Sequence, residues 1–205
     1  IILIMAGWLR FYNLNWDQGH YLHPDERLYV NASNIKLPDS IKEFFSPDSS
    51  LNPHMFYYGT LPLYIYVFFF KLVTVNLGWK ISFLVLARAV SAIVSLATVA
   101  MMYPLARKFL SKKTSLLAML ILALSVGHFQ HAHFITTESW LTLEVVLVTY
   151  FSLLLFEEKN WKKKRLWAGL VGIAWGAGIA TKIVGLSFGV IPLAAVIVGI
   201  MKEWY

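Results

Sequence analysis

The sequence has 205 residues, of which 58% are hydrophobic and only 14% are charged. Soluble domains usually carry about a quarter charged residues, so this composition disfavours the soluble alternative, a very hydrophobic bundle. The net charge of +7 resides largely in short basic loops, which membrane topology and lipid head groups explain better than nucleic acid does. The absence of cysteine excludes disulfides, thiolate chemistry and cysteine metal sites.

The apolar runs predict an all-α, polytopic membrane protein. Residues 1–12 are too short to span a bilayer alone, and we interpret them as the end of a first membrane helix. Residues 13–55 form a long polar segment, in which short helices are predicted near 26–33 and 40–45. Loops of this length usually carry function. About five spanning helices are predicted within 81–201, namely 81–106, 114–131, 138–156, 166–181 and 184–201.

Two basic clusters, at residues 107–113 and 159–165, predict the topology. Short loops rich in Lys and Arg lie on the cytoplasmic side, so the segment 13–55 and the turns near 133–138 and 181–182 are expected outside. The segment 56–75 then begins and ends on the external side, so it is expected to be an interfacial or re-entrant helix. Its aromatic content favours this position. The alternative is a true span with the reverse orientation upstream.

An adjacent acidic pair, Asp25 and Glu26, starts a predicted helix on the external side. Neighbours on a helix point about 100° apart, so the two carboxylates cannot share one task. One can act as a base while the other orients a neighbouring group or caps the helix. The simpler alternative is that both favour the helix N-terminus.

Other polar residues of the external side are candidates for substrate contacts. Arg88 lies in an apolar stretch and Lys182 follows a glycine-rich run that predicts helix packing. Both cations suit a phosphate, although snorkelling to head groups or a boundary position would also explain them. His128, His131 and His133 with Glu138 favour a polar cavity over a tight zinc site, because no HExxH pattern is present. Glu138 could also simply cap its helix.

The residues from Arg10 to Tyr29, RFYNLNWDQGHYLHPDERLY, resemble the first external loop of the protein O-mannosyltransferase and aminoarabinose-transferase families. These belong to the GT-C glycosyltransferases, in which an Asp-Glu pair follows the first membrane helix. Four more segments are similar and occur in the same order: 52–64, 87–92, 133–139 and 180–182. Glu138 departs from the pattern, since the family usually has Asp there.

The resemblance implies a membrane enzyme that transfers a hexosyl or pentosyl group, with inversion, from a polyprenyl or dolichyl phosphate. The acceptor would be a hydroxyl of a protein or glycolipid, and membrane lipid would be a further partner. The site would lie on the external face, in a bacterial or archaeal plasma membrane rather than the endoplasmic reticulum. Residues 1–205 would be an N-terminal transmembrane catalytic module, completed by a C-terminal region.

The resemblance also implies roles for individual residues. Asp25 takes the proton of the acceptor hydroxyl, while Glu26 orients Arg27 or another cation. A divalent cation, held by side chains such as His54 and Glu138, is left open. The donor phosphate is assigned to Arg88, Lys182 and His54, and the lining of the cavity to Arg27, His131, His133 and Glu138.

Two rival classes remain. A transporter or flippase would show inverted repeats and broken helices at mid-membrane, whereas this sequence has no visible repeat and its charges collect on one side. A non-catalytic lipid-binding subunit remains open, because such a protein could keep most of these residues.

Overall fold

The described chain contains ten α-helices, two 3-10 turns and one π turn. The computed structural model describes the backbone of residues 1–55 and 57–204 and the side chains of residues 1–55 and 57–199, and this part of the chain contains no β-strand. The helices are α1 (Ile2–Phe11), α2 (Pro24–Asn31), α3 (Ile41–Phe44), α4 (Leu61–Lys71), α5 (Phe83–Ala106), α6 (Lys112–Leu124), α7 (Val126–His131), α8 (Glu138–Glu157), α9 (Trp161–Thr181) and α10 (Val190–Trp204).

Two of the described helices, α5 and α8, are long and apolar enough to cross a membrane, with 24 and 20 residues. At 1.5 Å per residue they measure about 36 and 30 Å, against a hydrocarbon core of about 30 Å. The expected span 114–131 is divided at Ser125, whose backbone is extended between α6 and α7. The expected span 184–201 begins as the 3-10 turn Ile183–Gly189 before α10.

The polar segment 13–55 contains the two predicted short helices, which the structure confirms. Pro24 occupies the first turn of α2, where its missing N–H is harmless. Ser40 caps α3 by accepting a hydrogen bond from the backbone N–H of Glu43 at 3.1 Å. The segment 56–75 contains α4 and then most of the π turn Leu72–Asn76; its first residue, Phe56, lies outside the described residues.

A buried aromatic core holds α2 and α4 against the long helices α5 and α8. The Trp140 indole N–H donates to the Tyr66 hydroxyl at 2.7 Å, and that hydroxyl pairs with Ser91 at 2.9 Å. Tyr29 of α2 meets the Tyr66 ring edge to face at 5.8 Å. Because buried hydroxyl and indole groups need partners, this network fixes how the first loop and α4 seat on the bundle.

The two predicted basic loops lie at one end of the bundle. Lys108, after α5, forms an ion pair with Glu157 at the end of α8. The contacts of Arg88, Glu138 and Lys182 described below lie near the opposite ends of α5, α8 and α9.

The glycine-rich run of α9 packs differently from the sequence prediction. A Cβ placed on Gly169, Gly172 or Gly176 would meet no atom within 4 Å, so the prediction that these three glycines make packing contacts is wrong for the described chain. Gly178 alone of this run is packed: a Cβ there would lie 3.0 Å from the Phe188 ring. This contact turns the chain after α9 back along the helix.

Candidate active site

Arg88 of α5 is held in a buried ion cluster with Asp17 and Glu26, which we call the Arg88 clamp. Its guanidinium donates to both Asp17 carboxylate oxygens at 2.9 Å. It also donates to both Glu26 oxygens, at 2.8 and 2.6 Å, and to the Leu14 carbonyl at 2.8 Å. All three charged side chains are fully buried. The indole of Trp16 covers the guanidinium, 5.1 Å from the ring centroid.

The Arg88 clamp changes the expected roles of Arg88 and Glu26. A guanidinium has five N–H donors, and here all five are used within the protein. Arg88 therefore has no free donor for a phosphate, contrary to the sequence prediction. Glu26 likewise uses both oxygens on Arg88, and one of them accepts a third hydrogen bond from the Ile135 N–H at 3.0 Å. Glu26 orients a cation, and that cation is Arg88.

Asp17 is the acid that sequence reasoning missed. The hydrogen bonds from Arg88 lower the pKa of the Asp17 carboxyl to about 2, with help from the backbone N–H groups of Gly19 and Leu22. A signal was available: Arg88 at membrane depth requires a counter-charge, and Asp17 is an acid just after the first helix.

Asp25 lies beside the clamp but outside it, in a group we call the Asp25 cluster: Asp25, Tyr58, Glu138 and Lys182. Asp25 is partly exposed. Burial, and then the nearby Asp25 carboxylate, raise the pKa of the Tyr58 phenol. Lys182 stands over the Tyr58 ring, 4.9 Å from its centroid, and its Nζ is 3.6 Å from a Glu138 oxygen.

The ammonium of Lys182 is available to a ligand. About a third of its side chain is exposed, and its contact with Glu138 is at the outer limit of an ion pair. The cluster thus presents two partly exposed carboxylates, one phenol and one cation close together. These are the groups that a proton transfer next to a developing anion requires.

Gly59 explains why Tyr58 and Lys182 meet. Its backbone N–H donates to the Thr181 carbonyl at 3.0 Å. A Cβ on Gly59 would lie 1.9 Å from the Ala180 carbonyl oxygen, so only glycine allows this approach. Thr181 is anchored in turn, because its hydroxyl donates to the buried Glu144 carboxylate at 2.6 Å. The end of α9 is therefore fixed from both sides.

Three other predicted residues lie outside the Asp25 cluster. His54 is exposed, with a positive φ of 50°, and no hydrogen bond or ion pair joins its ring to that cluster in the part of the chain that the structure describes. Arg27 is exposed and donates to the Tyr21 carbonyl at 2.8 Å. His133 bridges the first loop and α7, with its ring nitrogens 3.0 and 2.9 Å from the carbonyl oxygens of Tyr12 and Phe129.

A small polar cavity adjoins the Asp25 cluster on the side of α7, and we call it the His128 cavity. Its volume is about 230 Å³. His131 and Glu138, both expected to line a cavity, lie along it, whereas Arg27 and His133 do not. The complete lining is His128, His131, Glu138, Ser139 and Thr142.

Comparison with known proteins decides the family. The model of the family described as dolichyl-phosphate-mannose-protein mannosyltransferase matches residues 43–205. The chain belongs to this mannosyltransferase family. No curated protein and no solved structure matches it.

Membership of the mannosyltransferase family establishes the class of the protein. The family consists of membrane-embedded glycosyltransferases that use dolichyl-phosphate-mannose, which agrees with the all-helical fold and the two long apolar helices. The resemblance drawn from the sequence motifs is thereby confirmed. The match begins at residue 43, so it includes Arg88, Glu138 and Lys182 but not the Asp-Glu pair.

A metal site is not formed by the predicted residues alone. Among the residues that the structure describes, no group of three or more His, Asp or Glu comes close enough to hold a metal ion. His54 and Glu138 are therefore not part of such a group, and we derive no step through a divalent cation.

Proposed function

We propose that this mannosyltransferase module transfers a mannosyl group from dolichyl-phosphate-mannose to a hydroxyl of a protein, with Asp25 as the base. The observation that carries the proposal is that the two adjacent acids of α2, Asp25 and Glu26, have different surroundings. Both carboxylate oxygens of Glu26 accept hydrogen bonds from Arg88, while Asp25 remains partly exposed beside Tyr58 and Lys182. The family description supports this donor and this acceptor.

The reaction is a direct displacement at the anomeric carbon. The acceptor oxygen forms the new glycosidic bond as the bond between the anomeric carbon and the phosphate oxygen breaks, so the configuration inverts. The hydroxyl proton passes to Asp25, and the products are a mannosylated hydroxyl and dolichyl phosphate. Because phosphate is already a good leaving group, no strong general acid is needed.

Lys182 is the cation that we assign to the departing phosphate. Charge develops on the phosphate in the transition state, and a fixed nearby cation stabilises it. Lys182 is partly exposed and only loosely paired with Glu138, so its ammonium can turn to an incoming phosphate. The Tyr58 ring beneath it provides a further attractive surface for the cation.

An apolar groove beside α4 provides room for the lipid part of the donor. It has a volume of about 460 Å³ and includes Tyr64, Val67, Phe68 and Leu72, with Lys71 at its side. The Lys71 ammonium is held by the Ile35 carbonyl at 2.8 Å. An isoprenoid chain is apolar along its whole length, and burial of apolar surface favours such an occupant.

We place the site on the face of the membrane away from the cytoplasm, within a polytopic GT-C-type module. The support is the positive-inside rule, since the clusters at 107–113 and 159–165 lie at the end of the bundle opposite the Asp25 cluster. A plasma-membrane location of the chain stays a prediction.

The proposal is tested with full-length protein in lipid nanodiscs, dolichyl-phosphate-mannose and an acceptor peptide rich in Ser and Thr. Asp25→Asn should lower mannosyl transfer by about 10²–10⁴-fold, the usual contribution of a general base, while binding of the donor lipid persists. Asp39→Asn is the control, because Asp39 is an exposed acid of the same loop. Undiminished transfer by Asp25→Asn would refute the assignment.

A further inference from the structure

The His128 cavity has unpaired hydrogen-bonding groups that the mechanism above does not use. Ser139, at the start of α8, is 2% exposed, and its hydroxyl has no hydrogen-bond partner in the described chain. The Nε2 atom of His128 is also buried and unpaired. Buried polar groups are nearly always paired in proteins, so two unpaired groups along one cavity indicate that something else provides their partners.

Arg10 determines which proton the His128 ring carries. This buried arginine donates to His128 Nδ1 at 2.8 Å. A guanidinium can only donate, so Nδ1 is the acceptor and the neutral ring holds its proton on Nε2. Arg10 is anchored by the Ser95 hydroxyl at 2.9 Å and by the Ala6 carbonyl at 3.0 Å. His128 therefore offers an N–H donor from a fixed ring.

The lining of the His128 cavity combines donors with an acceptor. His128 offers an N–H, the Ser139 hydroxyl can donate or accept, and Glu138 offers a carboxylate. The carboxylate makes the cavity unsuitable for an anion. The volume of about 230 Å³ is below the roughly 300–1,000 Å³ of sites for drug-sized ligands, which fits one small ring with several hydroxyls.

Glu138 connects the cavity to the reaction site. The same carboxylate that lines the His128 cavity lies 3.6 Å from Lys182 Nζ, the cation assigned to the phosphate. A sugar attached to that phosphate would therefore lie within reach of the cavity.

We propose that the His128 cavity binds the sugar ring of the donor, with His128 and Ser139 as specificity-determining residues that hydrogen-bond its hydroxyls. This inference rests on the proposed function and deepens it. It predicts that the protein binds the sugar-bearing lipid more tightly than the same lipid phosphate without sugar, and that the difference depends on Ser139.

The test compares dissociation constants for dolichyl-phosphate-mannose and for dolichyl phosphate, using full-length protein in nanodiscs. Ser139→Ala should weaken binding of dolichyl-phosphate-mannose by roughly three- to tenfold, the effect of one hydrogen bond, and leave dolichyl phosphate unaffected. Its thermal stability should stay the same or rise, because the hydroxyl removed is unpaired in the empty cavity.

The chain offers a matched control in Ser152→Ala. Ser152 is on the same helix, is 1% exposed and also has an unpaired hydroxyl, but it lies outside the cavity. The Ser152→Ala protein should bind both lipids as the wild type does. His131→Ala is a second cavity variant, and since His131 is exposed, this variant tests the inference should Ser139→Ala fail to fold.

The possible outcomes separate the two proposals. If the wild type binds neither lipid, the proposed function fails. If it transfers mannose but binds both lipids equally, or if Ser139→Ala and His131→Ala keep the full preference for the sugar-bearing lipid, the sugar assignment is overturned and the proposed function stands. A change in the KM of the acceptor peptide alone would instead assign the cavity to the acceptor and overturn the inference.

Discussion

Asp25 and Glu26 are adjacent in α2 but face different partners. Glu26 is fully buried and forms two hydrogen bonds with Arg88, at 2.8 and 2.6 Å, whereas Asp25 is partly exposed beside Tyr58. The angle of about 100° between neighbouring side chains of a helix produces this separation. Glu26 positions α2 on the bundle, and Asp25 keeps a partly exposed carboxylate, as the proposed role of base requires.

Removing the cation of the Arg88 clamp should unfold the first loop. Arg88→Ala leaves Asp17 and Glu26 buried without a counter-charge, and breaking a buried ion pair costs about 3–5 kcal/mol. We expect a large loss of thermal stability in detergent, with Arg27→Ala as a control because Arg27 is exposed. A stable Arg88→Ala protein that loses only affinity for the lipid phosphate would restore the phosphate role.

The Arg88 clamp also predicts how stability depends on acid. The pKa of Asp17 falls from 3.8 to about 2 on folding because of Arg88, so its stabilising effect is complete above pH 4. That effect, about 2 kcal/mol, should disappear as pH falls from about 4 to 2. Denaturant unfolding at several pH values measures it. Asp17→Asn should be less stable at neutral pH and should show a shallower loss over this range; an identical slope would contradict the assignment.

A methyl group on Gly59 should separate the two halves of the reaction site. Gly59→Ala places a Cβ 1.9 Å from the Ala180 carbonyl oxygen, which forces Tyr58 away from Lys182. We expect transfer activity to fall at least tenfold with donor binding weakened. Gly172→Ala is the matched control, because a Cβ there meets nothing within 4 Å and alanine favours the helix. Equal activity of the two variants would exclude this role for Gly59.

The topology can be tested with single-cysteine variants, because residues 1–205 contain no cysteine that would add background labelling. Single-cysteine variants at Asp25 and Lys163 should react with membrane-impermeant maleimide from opposite sides of sealed vesicles. The expectation follows from the basic loops. Labelling of both positions from the same side would contradict the placement of the Asp25 cluster opposite those loops.

Helix-start residues and long apolar runs in the sequence predicted several helices correctly. The short helices near 26–33 and 40–45 follow from Pro24 and from the cap Ser40, and both are present as α2 and α3. The long apolar runs likewise predicted α5 and α8. The division of 114–131 at Ser125 was not predictable, because hydropathy does not report a local extension of the backbone.

The partners of the charged residues could not be read from the sequence. An arginine in an apolar stretch is a reasonable phosphate ligand by sequence alone. Only the fold shows that four of the Arg88 N–H groups donate to Asp17 and Glu26 and that the fifth donates to the Leu14 carbonyl. The nearness of Tyr58 to Lys182 depends on Gly59, which no pattern of motifs singles out. The sequence thus indicated some of the residues that the structure brings together, such as Glu138 and Lys182, whereas Asp17 and the pairing of the charges required the structure.

Two hydrogen bonds that hold this site together connect parts of the chain that are synthesised at different times. Glu26 accepts from the Ile135 N–H, and Gly59 donates to the Thr181 carbonyl. Glu26 and Gly59 are therefore synthesised more than 100 residues before their partners. Until Ile135 has been synthesised, the Glu26 carboxylate lacks the backbone N–H from which it accepts in the folded protein. The contact that holds Gly59 against the end of α9 can likewise form only after α9 has been synthesised.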